Sequence, residues 1–236
     1  MLTGREVLGL EERPDGIVVR TADDETLARG VVACAGLQSD RVAAMTGGAS
    51  RDRVRILPFR GDYYTLLPSA RHLVRGLLYP VPDPRFPFLG VHFTRRIDGE
   101  VRAGPNAVLA FAREGYRRRD VALRDLRATL AWPGLWRLAG RYARTGIAET
   151  WRDWWKPAFV AQLRRYLPEI RSEDLVFGPS GVRAQAVTRR GEVVDDFDIV
   201  AEGRAIHVCN APSPAATSSL AIGSVVAAQA VERFAL

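Results

Sequence analysis

The order of hydrophobic patterns along the chain constrains its fold more than any other feature of the sequence. Short alternating runs fill the first 35 residues and return after Gly181. Between them lie a strand-rich segment over 58–106 and a segment with helical spacing over 118–167. Alternation with period two indicates strands, whereas apolar positions three or four residues apart indicate helices. The sequence therefore predicts an α+β fold of one large or two small domains.

The first segment reads as an α/β element. Strands are predicted over 6–10, 16–20 and 30–35, and the last of these ends at Gly36. Ser39 or Asp40 is then in place to cap a helix that runs to Gly47. The order strand, tight turn and helix is typical of the sheet of an α/β domain.

A mainly antiparallel sheet is predicted for the middle of the chain. Its strands cover 61–67, 76–80, 91–95 and 100–103, and Asp98-Gly99 is a strong hairpin signal between the last two. Proline removes a ladder donor, so a stiff extended loop is predicted at Pro80, Pro82, Pro84 and Pro87. The last third returns to strands over 182–187, 199–201 and 205–209, and a helix is predicted over 214–235.

Composition limits the classes of partner. The formal net charge of +7 and the isoelectric point near 10.1 raise the question of nucleic acid or an anionic membrane. Only one of the 34 basic residues is a lysine, Lys156, and genomic base composition explains such a bias as well as phosphate binding does. We expect no nucleic acid partner. With no apolar run of about 20 residues and no signal-peptide core, the chain is expected in the cytoplasm.

The two cysteines, Cys34 and Cys209, lie far apart in apolar runs. This arrangement excludes a disulfide framework and a metal site with CxxC spacing. Two buried thiols are expected.

Three strand segments carry candidate chemistry. Arg60, Tyr63 and Tyr64 lie at the start of a strand, where a guanidinium fork and a tyrosine hydroxyl suit a carboxylate; an edge-strand arginine with core tyrosines is the alternative. His92 shares one strand face with Thr94, which makes the histidine either a general base or a structural hydrogen-bonding residue. A second arginine, Arg183, projects from its strand together with Gln185. Two arginines facing one cavity would suit a dicarboxylate.

A fourth candidate is the polar stretch over 210–219, between the last strand and the last helix. With Ser213 as cap and Pro214 as first helical residue, free backbone donors and the positive end of the helix dipole would favour the negative charge of a flavin. Small residues recur in the helix at Ala216, Ser219 and Gly223, which close packing alone would also explain. No GxGxxG follows a strand and no GxxxxGK[ST] is present, so the usual dinucleotide fingerprint is missing.

Seven blocks of the sequence resemble one known family. They are ACAGLQSD at 33–40, PFRGDYY at 58–64, YPVPDP at 79–84, GVHFTR at 90–95, GPNA at 104–107, GVRAQ at 181–185 and HVCNAPSPAATSS at 207–219. Together they closely resemble the L-2-hydroxyglutarate oxidase/dehydrogenase family, a branch of the D-amino acid oxidase-like flavoproteins. The similarity spans nearly the whole chain.

This resemblance implies FAD-dependent oxidation of L-2-hydroxyglutarate to 2-oxoglutarate, with a hydride passed to the flavin. It divides the chain into a partial FAD-binding domain (1–48), a substrate-binding domain (49–178) and a return to the FAD-binding domain (179–236). The implied roles are His92 as base and Arg60 and Arg183 as carboxylate clamps. The implied substrate ligands are Tyr64, Thr94, Asn106, Gln185 and Asn210, and the implied cofactor ligands are Ala35, Gly36, Ser213, Pro214, Ala215, Ala216 and Thr217.

The family begins with a Gly-rich βαβ unit, so the sequence predicts a truncated chain. Three alternatives follow: a flavoenzyme completed by a separate amino-terminal FAD-binding half, a non-catalytic fragment that still binds the 2-hydroxy dicarboxylate, or a basic module peripheral to the inner face of a membrane. The last rests on five tryptophans and several arginines over 132–155, which would suit a membrane interface. A domain core with a solvated arginine face is the preferred explanation of them, because some of these rings must cover the sheet.

Overall fold

The computed structural model describes residues 1–47, 53–81, 90–212 and 214–235. Three prolines of the predicted stiff loop, Pro82, Pro84 and Pro87, lie outside these residues, as does Ser213. The chain divides into two compact units. The first unit contains Met1–Leu57, Trp132–Gly134 and Ala184–Leu236, and the second contains Pro58–Ala131 and Leu135–Arg183.

The described residues form twelve strands and five α-helices. The strands are β1 (Gly9–Arg13), β2 (Gly16–Arg20), β3 (Glu25–Ala28), β4 (Val31–Ala33), β5 (Val54–Leu66), β6 (Leu77–Leu78), β7 (His92–Arg95), β8 (Val101–Gly104), β9 (Val108–Leu109), β10 (Leu175–Thr188), β11 (Asp198–Glu202) and β12 (Ala205–Asn210). The helices are α1 (Ser39–Ala43), α2 (Leu123–Leu130), α3 (Pro133–Trp154), α4 (Lys156–Leu163) and α5 (Ser219–Phe234).

The first unit contains two three-stranded sheets. Strands β1, β2 and β3 form an antiparallel meander. In the other sheet β12 pairs antiparallel with β11 and parallel with β4, with His207 opposite Ala33. Ile17, Ala205 and Ile206 are fully buried in this unit. The parallel pair gives the first unit the α/β character that the sequence predicts for it.

A six-stranded sheet has the order β10-β5-β8-β7-β6, and β9 also pairs with β5. The predicted hairpin at Asp98-Gly99 joins β7 to β8, and Gly99 has the positive φ of 80° that this turn requires. The core of the second unit lies on one side of these strands, where Phe93 and Val101 pack with Phe159 and Leu163 of α4. Burial of each large side chain contributes about 1.5–3 kcal/mol.

Several sequence-based boundaries are wrong. The first strand covers Gly9–Arg13 instead of 6–10, because the turn that follows Arg13 sets Gly9 opposite Arg20. Strand β3 was not predicted; it pairs with β2 directly after the turn at Asp23 and Asp24. Tight turns, rather than the apolar run, set the register of this meander.

The predicted helix caps at Ser39 and Asp40 are also wrong. Both residues lie inside α1, where the Ser39 hydroxyl donates to the carbonyl of Cys209 at 2.9 Å and the Asp40 carboxylate accepts from the backbone N–H of Ile56 at 3.2 Å. Their polar groups therefore bond to other segments of the first unit instead of their own helix end. Cys209 is buried as expected, but Cys34 is exposed at the end of β4.

The last helix begins at Ser219, five residues later than predicted. Pro214 lies in a run of turns, in which Ala215 N–H donates to the carbonyl of Pro212 and Ser218 N–H donates to that of Pro214. The helix end proposed to face a flavin at Pro214 is therefore not formed there. Local turn bonding has replaced the first predicted helical turn.

The helical segment over 118–167 is confirmed by α2, α3 and α4. Trp132 is buried, whereas Trp136, Trp151, Trp154 and Trp155 are exposed. No helix within the described residues is long and apolar enough to cross a membrane.

Candidate active site and cofactor loops

Strand register brings four residues into one row on one face of the six-stranded sheet. His92 lies opposite Gly104, and the β5–β8 pairing of Tyr64 with Ala103 places Tyr63 on the other side of Gly104. The pairing of Leu78 with Phe93 likewise places Tyr79 next to His92. The row is therefore Tyr63, Gly104, His92 and Tyr79. A parallel row one step along the strands contains Thr65, Arg102, Thr94 and Leu77.

His92 is held by two contacts. Its Nδ1 lies 3.0 Å from the carbonyl oxygen of Gly90, and its ring stacks on Tyr79 with centroids 4.2 Å apart and planes at 18°. Since a carbonyl only accepts, Nδ1 carries the proton and the lone pair of the neutral ring is on Nε2. Burial and the positive charge of Arg183 lower the pKa of His92, although the bond to Gly90 opposes them. The arrangement favours a neutral imidazole that can accept a proton.

The charges of two arginines, Arg183 and Arg102, act on the Tyr63 hydroxyl. Burial raises the pKa of Tyr63, and the charges of Arg183 and Arg102 act against that rise. Burial also lowers the pKa of the Arg183 guanidinium. In partly desolvated surroundings, a guanidinium and a phenol hydroxyl are strong donors to a carboxylate. Positive charge and hydrogen-bond donors are thus concentrated beside the proton-accepting histidine.

Gly104 lies between Tyr63 and His92 in this row and packs closely against β5. Its φ is 137°, and a Cβ atom there would lie 2.8 Å from the backbone oxygen of Asp62 and 3.2 Å from the Cα of Tyr63. A side chain at this position is excluded by both the backbone angle and the space available. Close packing against Asp62 and Tyr63 therefore requires a glycine at the centre of the row.

The opposite face of β5 carries a buried ion-pair network. The Arg60 guanidinium donates to Asp62 at 2.9 Å and to Asp153 of α3 at 3.0 Å. Asn106 donates to Asp153 at 2.6 Å and accepts from the backbone N–H of Asp62 at 2.7 Å. Arg118 also pairs with both carboxylates, at 3.1 and 3.3 Å. Each polar group of this network has partners within the second unit.

The two carboxylates of the network titrate in opposite directions. Burial and the adjacent Asp62 raise the pKa of Asp153. Burial also acts to raise the pKa of Asp62, but hydrogen bonds from Ser180 and Asp153 and the charge of Arg60 leave it lowered. The negative charge is therefore held most firmly at Asp62, between two guanidiniums.

The structure separates the predicted site residues of the second unit into two groups. His92, Thr94 and Arg183 belong with Tyr63, whereas Arg60 and Asn106 belong to the buried network. Tyr64 lies in the core, only 6% exposed, with its ring centroid 4.9 Å from that of Phe159. The roles predicted for these residues stay predictions, but Arg60, Asn106 and Tyr64 already have protein partners.

Sequence reasoning missed Tyr79 and Arg102, and of the adjacent tyrosines it listed Tyr64 instead of Tyr63 as a substrate ligand. The sequence contains a signal for Arg102. The hairpin turn at Asp98-Gly99 fixes the register of β7 against β8 and so places Arg102 opposite Thr94. The partners of Tyr63 and Tyr79 depend on strands that the turn does not fix.

The cofactor residues predicted in the first unit lie at the carboxyl ends of β4 and β12. Ala35 and Gly36 follow β4, and Asn210, predicted as a substrate ligand, ends β12, the parallel neighbour of β4. Pro214, Ala215, Ala216 and Thr217 lie in the turns before α5. Ligands of open α/β sheets bind at the carboxyl ends of parallel strands. The two loops therefore leave the sheet at the edge where a nucleotide cofactor is expected.

Two observations test whether this edge suits a flavin cofactor. The Asn210 amide donates to the carbonyls of Val194 and Asp196 at 3.0 and 2.8 Å, and its buried Oδ1 has no hydrogen-bond partner among the described residues. Gly36 has a φ of 50°, and no atom lies within 4 Å of the place where a Cβ would be. A free buried acceptor and an open glycine backbone fit a ligand with polar N–H groups. Gln185, which was predicted as a substrate ligand, donates to the carbonyl of Val194 at 3.1 Å.

Comparison with known proteins agrees with this fold. A family described as "DAO: FAD dependent oxidoreductase" matches residues 1–229. In solved structures, the chain is similar to L-alpha-glycerophosphate oxidase from Mycoplasma pneumoniae, determined dithionite-reduced with FAD bound. The TM-score is 0.63 at 17% identity, over 98% of this chain and 50% of that one. The chain belongs to the FAD dependent oxidoreductase family, whose cofactor is FAD.

Curated relatives are more similar in sequence. "L-2-hydroxyglutarate dehydrogenase" of Indibacter alkaliphilus is 48% identical over 231 residues, which are 98% of this chain and 58% of the relative. "L-2-hydroxyglutarate dehydrogenase, mitochondrial" of Nematostella vectensis is 55% identical over 215 residues, 88% of this chain and 46% of the relative. The chain thus spans about half the length of the relatives it matches.

Proposed function

We propose that this chain handles the substrate in the FAD-dependent oxidation of L-2-hydroxyglutarate to 2-oxoglutarate. The observation that carries the proposal is the His92 face, where a neutral imidazole with its lone pair on Nε2 lies in the same row as Tyr63 and is affected by the charge of Arg183. The names of the relatives at 48% and 55% identity support this choice of substrate.

The residues of this face have distinct roles in the proposal. His92 Nε2 takes the proton of the 2-hydroxyl group, while Arg183 and the Tyr63 hydroxyl bind the adjacent C1 carboxylate. FAD, when bound, accepts the hydride that leaves C2 as the C2–O bond becomes a carbonyl. Thr94 adds a hydroxyl on the same side of the sheet.

The proposal assigns FAD binding to the first unit and substrate binding to the second. In the first unit, Ala35, Gly36 and Asn210 would hold the cofactor, together with the turn over 214–217. Asn210 Oδ1 would accept a hydrogen bond from a cofactor N–H group. The separate FAD-binding half expected from the sequence remains a prediction.

The first test is the visible spectrum of the purified chain with FAD, followed by anaerobic addition of L-2-hydroxyglutarate. Flavin bands that bleach with formation of 2-oxoglutarate are the expected result, and D-2-hydroxyglutarate is the matched control. If the chain binds substrate without retaining flavin, FAD binding belongs to a separate half. A chain that neither binds nor oxidises L-2-hydroxyglutarate would overturn the proposal.

A second proposal concerns the surface of α3: we propose that it contacts an anionic membrane. Trp151 and Trp154 are 59% and 69% exposed, and Ile147 is 72% exposed on the same side of the helix. Arg141 and Arg144 are also exposed on α3. Exposed indole rings flanked by arginines suit the headgroup region of acidic lipids.

Flotation with phosphatidylglycerol-containing vesicles tests the membrane proposal. The chain should float with these vesicles and not with pure phosphatidylcholine, and a double W151S/W154S variant should lose the effect. Leu220→Ser, which removes an exposed apolar side chain elsewhere, is the control. Equal recovery with both vesicle types would reject an electrostatic membrane contact.

A further inference from the structure

Arg102 occupies an unusual position on the face that carries His92. It lies in the second row of this face, between Thr65 of β5 and Thr94 of β7. Its Nη2 donates to the Glu100 carboxylate at 3.2 Å, while its Nε is buried without a hydrogen-bond partner among the described residues. A buried N–H without an acceptor is costly, so a guanidinium in this state favours a ligand that supplies one.

The spacing between the two rows matches the length of a short dicarboxylate. Arg102 is two residues from Gly104 along β8, which is a distance of about 7 Å at the usual rise of a strand. A five-carbon chain with bonds of about 1.5 Å places its two carboxylate carbons about 5 Å apart. With the oxygens added, such a molecule spans from the row that contains His92 to the Arg102 guanidinium.

We propose that Arg102 binds the distal carboxylate of the substrate and so selects 2-hydroxy dicarboxylates over 2-hydroxy monocarboxylates. This inference rests on the proposed function, because His92 and Arg183 define where the other end of the substrate lies. Arg102 takes the carboxylate-binding role that the family resemblance implied for Arg60, whose guanidinium is already paired with Asp62 and Asp153. Glu100 competes with the substrate carboxylate for the same guanidinium.

The hydroxyls beside Arg102 add to this selectivity. Thr65 and Thr94 flank the guanidinium from the two neighbouring strands, and the hydroxyl of Thr94 lies 3.4 Å from that of Tyr79. A carboxylate at Arg102 would meet a charged donor and hydroxyl donors, whereas a methyl group there would leave them unpaired. Sites built to hydrogen-bond a polar group reject analogues that lack it.

The experiment compares L-2-hydroxyglutarate with L-2-hydroxyvalerate, which has the same five carbons and a methyl group in place of the distal carboxylate. Affinities are measured by calorimetry for the full chain with FAD present. Arg102→Met should weaken L-2-hydroxyglutarate binding on the order of 10- to 100-fold, the loss expected for charged hydrogen bonds, and leave L-2-hydroxyvalerate within about twofold. Arg102→Lys keeps the charge and should restore part of the preference.

Arg96→Met, an exposed arginine at the turn of the same hairpin, is the matched control and should bind both compounds like the unmodified chain. If the unmodified chain binds neither compound, the proposed function fails and this inference falls with it. If the unmodified chain prefers the dicarboxylate and both Arg102 variants keep that full preference, the Arg102 inference alone is overturned. Near-ultraviolet circular dichroism checks the fold of each variant. If Arg102→Met does not fold, Arg102→Lys is the deciding variant. An unchanged preference for L-2-hydroxyglutarate over L-2-hydroxyvalerate in Arg102→Lys would then contradict the inference.

Discussion

The two faces of β5 use the same residue types for different purposes. On one face Arg60 is 5% exposed and lies between two carboxylates, and Tyr64 packs in the core. On the other face Tyr63 is half-buried beside Gly104, and arginine charges act on its hydroxyl without an adjacent carboxylate network of this kind. One face of β5 thus stabilises the second unit, and the other face carries Tyr63, which is proposed to bind the substrate.

This difference teaches that a binding arginine cannot be identified from residue type alone. The network around Arg60 neutralises its charge within the protein, which makes it a structural element. Arg183 and Arg102 instead lie on the face where a histidine is held in its proton-accepting form. Parity along β5 therefore places Arg60 in the network and Tyr63 on the face that carries His92.

The largest effect is expected from Arg60→Met. It removes the more deeply buried of the two cations that Asp62 and Asp153 share and leaves them with Arg118, so the free energy of unfolding should fall by about 3–5 kcal/mol. Urea unfolding followed by circular dichroism measures this, with Arg96→Met as a surface control expected within about 0.5 kcal/mol. Unchanged stability together with lost substrate binding would show that Arg60 belongs to the substrate site and would contradict its assignment to the ion-pair network.

His92→Gln tests the chemistry of the opposite face. Loss of the proton acceptor should reduce turnover of L-2-hydroxyglutarate by about 10²–10⁴-fold, with FAD supplied. Because His92 is outside the ion-pair network, the urea midpoint should change little. Turnover within about threefold of the unmodified chain would show that the base is another group.

The pH dependence of kcat/KM tests the lowered pKa of His92. Its pKa is lowered from 6.5 by burial and by Arg183, so the neutral form persists to lower pH. The acid limb of kcat/KM should therefore fall at a pH below 6.5. In Arg183→Met the removal of a positive charge should move that limb to higher pH. An acid limb that is unmoved in this variant would contradict the placement of Arg183 beside His92.

The smallest effect is expected from Glu100→Gln. This change removes the carboxylate that pairs with Arg102, and the affinity for L-2-hydroxyglutarate should rise about two- to fivefold, as for loss of a partly exposed ion pair. Calorimetry measures the gain, and the affinity for L-2-hydroxyvalerate should not change. A weaker affinity for the dicarboxylate would show that Glu100 assists binding instead of competing.

Much of the fold follows from the sequence where local signals are strong. The turn at Asp98-Gly99 and the alternating runs beside it predict the β7–β8 hairpin, and helical spacing predicts α2 to α4. The start of α5 did not follow, because turn bonding after Pro212 competes with helix formation. Ser39 and Asp40 did not cap α1, since their bonding partners, Cys209 and Ile56, are distant in sequence.

The site was only partly predictable for a related reason. His92 and Thr94 could be recognised as sharing a face because they lie in one strand. The buried partner of Arg60 on α3 is Asp153, 93 residues away, and no local pattern links the two. Without that pairing, Arg60 and Arg183 looked equivalent, and the choice between Tyr63 and Tyr64 depended on a sheet register that long-range pairing sets.

The adjacent tyrosines of β5 allow the most direct test of the account. L-2-hydroxyglutarate binding is measured by calorimetry for Tyr63→Phe and Tyr64→Phe, two changes that each remove one hydroxyl on opposite faces of one strand. The affinity for L-2-hydroxyglutarate should fall about 2- to 10-fold in Tyr63→Phe, the usual value of one hydrogen bond, and should change no more than about twofold in Tyr64→Phe. The reverse result, with binding lost only in Tyr64→Phe, would contradict the assignment of the substrate to the His92 face.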